Sequence, residues 1–176
     1  MKLSTGKKAI KVPFDNGDVG VVYINTTDRT IQERINSFEG RVEEKIKSIN
    51  LDKYNAQLDG GIKADITDID ALFEMSADDL EKLNGQMTAL NEIDAEYNKV
   101  VKEELDEVFK SPVSGVFFKY CQPFDVVVIE DDNGNEKREM YIMHLLKWLG
   151  YELKKNAEKN NSAMNKHIGK YVKNNV

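Results

Sequence analysis

Apolar residues recur at intervals of three and four along much of this chain, and this spacing constrains the fold more than any other feature. The clearest run has spacings of 4, 3, 4, 4 and 3, and it comprises Ile31, Ile35, Phe38, Val42, Ile46 and Ile49. Such a run forms one apolar stripe on an α-helix. Thr30 and Glu33 have the spacing of a capping box, and Asp28 suits the positive end of a helix. The pattern predicts a helix of about six turns.

A second helical stripe runs over residues 86–110 and consists of Met87, Leu90, Ile93, Tyr97, Val101, Leu105 and Val108. Ser111-Pro112 is predicted to end it, because proline disfavours helix at the residue before it. Ser76 is the predicted N-cap of the preceding helix, which Asn84-Gly85 is expected to end or bend. Another short helix is predicted at residues 68–74, after the turn signal Asp59-Gly60-Gly61.

The C-terminal part of the chain predicts a helix over residues 136–159, with an apolar stripe of Met140, Met143, Leu146, Leu149 and Leu153. Leu145 and Trp148 widen that apolar face. Asn160-Asn161 is predicted to break the helix, and Ser162 is predicted to cap a short last helix.

At the N-terminus the sequence pattern changes from the three- and four-residue spacing of helices to the two-residue alternation of strands. Residues 9–14 and 19–24 read as two short strands, because the second is rich in β-branched residues and Asn16-Gly17 between them is a strong hairpin signal. Residues 113–129 are strongly apolar and are interrupted by Gly115 and Pro123, so they fit a strand or a helix-connecting segment equally well.

Together these patterns predict an α+β fold that is predominantly α-helical, with an N-terminal β-hairpin followed by a bundle of about four to six helices. A length of 176 residues fits one ordinary domain. We expect a single helix-rich domain over residues 1–160 and a basic C-terminal helix or tail over residues 161–176.

The charge of the chain excludes some classes of partner. The net charge is −6, whereas binding to nucleic acid requires clustered lysine and arginine. Residues 151–176 reverse the sign, with six lysines against Glu152 and Glu158. No stretch approaches the roughly 18 apolar residues of a membrane span, and the N-terminus lacks the apolar core of a signal peptide. The sequence therefore predicts a cytoplasmic protein that binds neither membrane nor nucleic acid.

No motif for catalysis or cofactor binding stands out. The chain has no glycine-rich phosphate loop, no Gly-x-Ser-x-Gly elbow and no His-Glu-x-x-His. Cys121, the only cysteine, lies in an apolar stretch that predicts a buried thiol, and folding could still bring a histidine to it. Neither His144 nor His167 has a histidine or cysteine four residues away, so no zinc pair is predicted. We expect a protein that is not an enzyme and has no cofactor.

Two acidic clusters have the residue types of a metal site. In the turn over residues 130–136, glycine is fourth when counted from Asp131, and the twelfth residue is Ile142. An EF-hand needs glycine at the sixth position and glutamate at the twelfth, so the turn is predicted to be a solvated one. Asp65, Asp68 and Asp70 alternate with isoleucines and fit the exposed side of a half-buried segment.

Three segments resemble the tail assembly chaperones of siphophages and related prophages. The first is IKVPFD at residues 10–15, together with YINTTD at residues 23–28, which runs directly into a charged helix. The second joins residues 93–97 to the acidic ending Asp106-Glu107-Val108-Phe109, followed by small residues and Val116-Phe117. The third is the basic HIGKYVK at residues 167–173. The resemblance covers about half of the chain.

The resemblance implies a non-enzymatic phage tail assembly chaperone. Such proteins bind the tape measure and/or tail tube protein and keep the tape measure soluble while tube subunits polymerise around it. A partner helix would need an apolar stripe rimmed by charge. The partner-binding residues expected on this basis are Ile31, Ile35, Phe38, Val42, Ile46, Lys166, Lys170, Tyr171 and Lys173.

Other functions fit the same composition. The chain resembles in size and acidity a phage or mobile-element inhibitor that binds a host protein, and it also fits a structural component that remains in a tail particle. An enzyme with scattered catalytic residues is a further alternative. The helical stripes would also allow self-association, because they can pack against a second copy.

Overall fold

The structure is a computed structural model that describes residues 7–26, 28, 30–59, 75–130 and 134–173, the part after residue 159 only as helix. Its elements, in chain order, are β1 (Lys7–Pro13), β2 (Val19–Asn25), α1 (Ile31–Asn36), α2 (Phe38–Lys47), α3 (Asp52–Leu58), α4 (Ala77–Phe109), α5 (Ser114–Phe117), β3 (Val126–Glu130), β4 (Glu136–Met140) and α6 (Tyr141–Lys173). The predicted α+β fold with an N-terminal hairpin is confirmed, and a second hairpin is added to it. The arrangement of the helices as a bundle stays a prediction.

The chain forms two compact units. The first unit comprises residues 1–39 and 102–176, and the second comprises residues 40–101. In the first unit the most deeply buried side chains come from both hairpin and helices, and they include Ile24, Leu105, Val108, Val113, Phe117 and Leu149. In the second unit, the buried Tyr54 of α3 donates its hydroxyl to Glu96 of α4 at 3.2 Å.

The N-terminal hairpin pairs β1 with β2 antiparallel, from Lys7 opposite Asn25 to Pro13 opposite Val19. Side chains of a strand point alternately to its two faces, and one face of this hairpin is buried through Ile10, Val12, Val22 and Ile24. Gly17 takes the positive φ of +86° that the turn needs, and the amide of Phe14 closes the turn on the carbonyl of Asp18 at 2.9 Å.

The single helix predicted from residue 31 is wrong, because the chain leaves the helix at Ser37. The Ser37 hydroxyl donates to the carbonyl of Arg34 at 3.2 Å, and such local bonds compete with the helical ladder. The predicted capping box is also wrong, since the Thr30 side chain makes no cap hydrogen bond. Asp28 instead accepts the Thr30 amide at 2.9 Å and forms an ion pair with Arg34 at 2.6 Å.

The predicted interruption at Asn84-Gly85 is wrong as well, because α4 runs through it without a break. Glycine inside a helix costs about 1 kcal/mol relative to alanine, which is small against the packing of a long helix. The start of the helix is predicted correctly: the Ser76 hydroxyl accepts the Asp79 amide at 3.2 Å and donates to the Asp79 carboxylate at 2.8 Å.

The predicted stop at Ser111-Pro112 is confirmed. Lys110 takes a left-handed φ of 49°, and the Ser111 amide reaches back to the carbonyl of Asp106 at 3.2 Å, which is the hydrogen bond of a Schellman ending. The Asp106 carboxylate then accepts the amides of Val113 and Ser114, each at 2.7 Å, and the Ser114 hydroxyl at 2.9 Å. This one side chain therefore ties the end of α4 to the start of α5.

Residues 113–129, where the sequence fits either a strand or a helix-connecting segment, contain α5 and all of β3 except Glu130. The helix predicted to start at residue 136 is wrong there, because residues 136–140 form β4, paired with β3 from Val126 opposite Met140 to Glu130 opposite Glu136. The break predicted at Asn160-Asn161 is also wrong: α6 continues to Lys173, and Ser162 lies inside it. The predicted helix at 68–74, the acidic residues Asp65, Asp68 and Asp70, and residues 131–133 of the polar turn lie outside the described residues.

Gly20 of β2 offers a test of the packing of the first hairpin. A Cβ atom at this position would lie 2.5 Å from Cγ1 of Val116 and 3.2 Å from Cε2 of Phe14, whereas a Cβ at Gly40 of α2 would meet nothing within 4 Å. We expect G20A to lower the free energy of unfolding by about 1–3 kcal/mol through overpacking. We expect G40A to raise it by roughly 0.5–1 kcal/mol, because alanine suits a helix better. Urea unfolding followed by circular dichroism measures both, and a G20A protein as stable as the wild type would contradict the packing.

Asp28 offers a test of the contact between the start of α1 and the end of α4. The hydrogen bond from Arg34, followed by those from Thr30, lowers the pKa of Asp28 from 3.8 to about 2. Arg34 also donates Nε to the carbonyl of Val108 at 2.7 Å. Because the folded-state pKa is lowered, the stabilisation is present above about pH 4 and is lost as the pH falls through about 2.

We therefore expect the wild type to lose more unfolding free energy than D28N when the pH is lowered from about 5 to about 2.5. The difference between the two proteins removes the contribution of the other carboxylates. Urea unfolding at several pH values measures it, and parallel curves for the two proteins would rule out the contribution of this carboxylate.

Candidate functional site

The first unit contains an apolar cleft. Its volume is about 370 Å³, which lies within the roughly 300–1,000 Å³ typical of ligand pockets. Its walls come from four separate segments: the end of β1 with the following turn, the segment after α5, strand β3 and the first turns of α6.

Helix α6 supplies one wall of the cleft through Tyr141, His144, Leu145 and Trp148, which recur at three and four residues and so share one helical face. The start of the helix is held in place because the amide of Tyr141 donates to the carbonyl of Asp125 at 2.8 Å. This bond satisfies one of the backbone amides that a helix N-terminus otherwise leaves unpaired.

Aromatic packing holds these side chains in position. The Tyr141 hydroxyl donates to the carbonyl of Phe117 at 2.9 Å, and its ring lies edge-on to Phe118 at 6.0 Å. Trp148 packs edge-on against the fully buried Phe117 at 6.1 Å. Since the Tyr141 hydroxyl is satisfied from within the protein, it adds no free hydrogen-bonding group to this wall.

Phe14 and Tyr120 form another wall of the cleft, with their rings edge-to-face at 5.1 Å. The Tyr120 hydroxyl donates to the carboxylate of Asp18, which also accepts a hydrogen bond from Lys119 at 2.9 Å. The bond from Lys119, followed by that from Tyr120, lowers the pKa of Asp18. This wall is therefore fastened to the turn between β1 and β2.

Strand β3 borders the cleft with Val127, Val128 and Ile129. Among the described strands β3 pairs only with β4, so its other edge carries backbone groups that no described strand uses. Val126 is 66% exposed and Val128 is 55% exposed, so apolar side chains of β3 remain open to solvent. A strand edge beside an apolar cleft is a common binding geometry for extended peptides.

A charged cluster lies beside the cleft at the end of β4. The Glu139 side chain is only 8% exposed, and it contacts Lys137 at 3.7 Å, His144 Nδ1 at 3.3 Å and the Lys147 ammonium. The hydrogen bond from Lys147 is the main cause that lowers the pKa of Glu139. His144 thus has a carboxylate partner that holds its ring at the cleft wall.

Cys121 and His144 line the same cleft, so folding does bring a histidine to the cleft that the only cysteine lines. Burial, followed by the nearby carboxylates of Asp125 and Asp15, raises the pKa of the Cys121 thiol. A nucleophilic cysteine needs the opposite shift, because the thiolate is the reactive form. The surroundings of Cys121 therefore disfavour the thiolate form of its side chain.

Neither a metal cluster nor a membrane helix is found within the ranges that the structure describes. No group of three or more histidine, cysteine, aspartate or glutamate side chains there is arranged to hold a metal ion. None of the helices in those ranges is long and apolar enough to cross a membrane.

The partner-binding residues predicted from sequence are distributed over both units. Ile31 and Phe38 are buried, whereas Ile35, Val42 and Ile46 are half-buried. Ile31, Ile35 and Phe38 belong to the first unit, and Val42 and Ile46 belong to the second. Lys166, Lys170, Tyr171 and Lys173 lie on the last part of α6, and their side chains are outside the described part of the chain.

The cleft itself was not predicted from the sequence. The sequence singled out Cys121 and His144 one at a time, but no local signal joins them to Phe14 or Val127. The stripe on α6 was the one available indication, because Leu145 and Trp148 widen its apolar face beyond what a single buried seam requires.

Comparison with known proteins gives no relative: no protein-family model matches the chain, and neither a curated protein nor a solved structure matches it.

The raised pKa of Cys121 gives a direct test of the cleft environment. We expect iodoacetamide to modify Cys121 in the folded protein more slowly than it modifies glutathione at pH 7.5, because less thiolate is present and the thiol is partly covered. The rate should rise toward that of glutathione when the protein is unfolded in urea. Mass spectrometry at timed intervals measures both rates, and modification of the folded protein faster than glutathione would reveal an activated thiol instead.

Proposed function

We propose that this chain is a non-enzymatic phage tail assembly chaperone that binds the tape measure and/or tail tube protein, and that its apolar cleft receives a large apolar side chain of that partner. The observation that carries the proposal is the open cleft, which has aromatic walls and a strand edge beside it. The family resemblance of the sequence supplies the identity of the partner.

The chemistry of the cleft supports protein binding. The hydroxyls of Tyr141 and Tyr120 are already bonded to Phe117 and Asp18, so the walls offer apolar contact and few free hydrogen-bonding groups. Apolar contact is tolerant of sequence, which suits a partner whose segments differ along its length. The strand edge of β3 adds main-chain hydrogen bonds, and these are also independent of the side chains of the partner.

The open geometry also suits a partner that must be released. The residues of β3 at the cleft, Val127 and Ile129, are half-buried before any partner binds. A segment bound there removes a modest apolar area from water, and about 25 cal/mol of stabilisation follows from each Å². Contacts that bury only a modest apolar area exchange readily, and a chaperone that leaves the finished tail requires such exchange.

The half-buried residues Ile35, Val42 and Ile46 offer further apolar contacts for the partner, and the basic end of α6 with Lys166, Lys170, Tyr171 and Lys173 offers charged ones.

The experiment is a pull-down of the tagged protein from producing cells during particle assembly, with finished particles analysed beside it by mass spectrometry. We expect the tape measure or tail tube protein in the pull-down and none of this chain in the particles. Recovery of a host protein alone would replace the chaperone by an inhibitor. Presence of this chain in the finished particles would make it a structural component.

A matched pair of variants connects the result to the cleft. Val127 lines the cleft, whereas Val126, the next residue, is not among its lining residues and is 66% exposed. We expect V127F to fill the cleft and reduce recovery of the partner at least tenfold, while V126F leaves it unchanged. Equal recovery with both variants, each confirmed as folded by circular dichroism, would remove the cleft from the interaction.

A further inference from the structure

A second groove adjoins the cleft on the side of the N-terminal hairpin. It has a volume of about 390 Å³ and runs between β1 and the middle of α6. Pro13 and Trp148 line both the groove and the cleft, so the two concavities meet at these residues. An extended segment that occupies the cleft can therefore reach the groove by passing Trp148.

The groove differs from the cleft in its charge. Lys11 of β1 and Lys155 and Lys159 of α6 line it, against the single carboxylate of Glu152. Lys155 contacts Glu152 at 3.2 Å, and Glu152 is the more covered of the two, with 19% of its side chain exposed against 45% for Lys155. The groove thus has an excess of positive charge at its rim.

This excess stands out because the chain as a whole carries a net charge of −6. A local patch of opposite sign concentrates the potential where it can select a partner, and complementary charge sets specificity and the rate of association more than affinity. The lysines at the groove therefore attract an acidic segment to the place where the groove adjoins the cleft.

We infer that the cleft and groove together bind one acidic protein segment, whose large apolar side chain enters the cleft and whose carboxylates contact Lys11, Lys155 and Lys159. The inference rests on the proposed function and specifies the chemistry of the partner segment. The order of the two features sets the order in the segment: the apolar anchor and the carboxylates lie on opposite sides of Trp148.

The test uses a displayed library of random twelve-residue peptides, selected on the full-length protein and on the charge-reversed variant K11E/K155E/K159E. We expect the wild type to enrich peptides that combine one large apolar residue with a neighbouring run of aspartate or glutamate. The reversed variant should lose these peptides and enrich lysine and arginine beside the same apolar residue. The control K47E/K82E/K99E makes the same change of charge in the second unit and should select as the wild type does.

The binding of an enriched acidic peptide is then measured by fluorescence anisotropy. We expect K11E/K155E/K159E to weaken it at least tenfold, V127F to weaken it similarly, and K47E/K82E/K99E to change it less than twofold. Addition of salt should weaken wild-type binding, because the contacts at the rim are screened.

Each outcome decides between the two proposals. Enriched peptides with an apolar anchor and no preference for acidic residues would overturn this inference and leave the apolar cleft as the binding site. A library that yields no binder to either protein would overturn both. If single-stranded DNA displaces the acidic peptide and binds as tightly, the groove is a general polyanion site and the inference of a protein segment fails.

Discussion

The rest of the first unit depends on the hydrogen bonds that the carboxylate of Asp106 accepts. It lies in the last turn of α4 and accepts two backbone amides and one hydroxyl from residues 113 and 114, so it starts α5 at a defined place after the helix has ended. Helix α5 then carries Phe117 into the core, where it meets Trp148 and accepts the hydroxyl of Tyr141 through its carbonyl. The wall of the cleft is therefore positioned by a hydrogen-bonded turn that contains no residue of the cleft.

Local signals in the sequence predicted what local forces determine. The hairpin at Asn16-Gly17, the cap at Ser76 and the stop at Ser111-Pro112 each depend on residues within about four positions of one another, and each was predicted correctly. The break at Ser37 also has a local cause, because its hydroxyl donates to the carbonyl of Arg34. A serine within an amphipathic stretch does not by itself predict such a break. Its neighbour Arg34 is held by Asp28 and Val108, and the second of these is distant in sequence.

The remaining errors share a physical reason. Residues 136–140 alternate too weakly to read as a strand, and only their pairing with β3 makes them one. Asn160-Asn161 and Asn84-Gly85 carry weak helix propensities that a long continuous helix overrides, as tertiary context often does. The cleft could not be predicted, because its walls combine four segments that are separate in sequence. The residue spacing within one segment does not indicate which other segments pack beside it.

The cleft and groove separate two tasks that are often combined in one pocket. The cleft has aromatic walls whose hydroxyls are already bonded within the protein, so it selects a partner by the size of an apolar group rather than by its hydrogen bonding. The groove has lysines at its rim and selects a partner by its charge. A partner that satisfies only one of the two contacts is held by only part of the available interaction, which is a simple route to selectivity without a deep pocket.

Trp148 is the one tryptophan of the chain, and it lies where the cleft and the groove meet. Its indole therefore acts as a natural optical probe of occupancy: any molecule that passes between the two concavities changes the polarity around the only strong fluorophore in the protein. The native chain, without a dye or an added label, reports in its own emission spectrum when this place is filled and how quickly it empties.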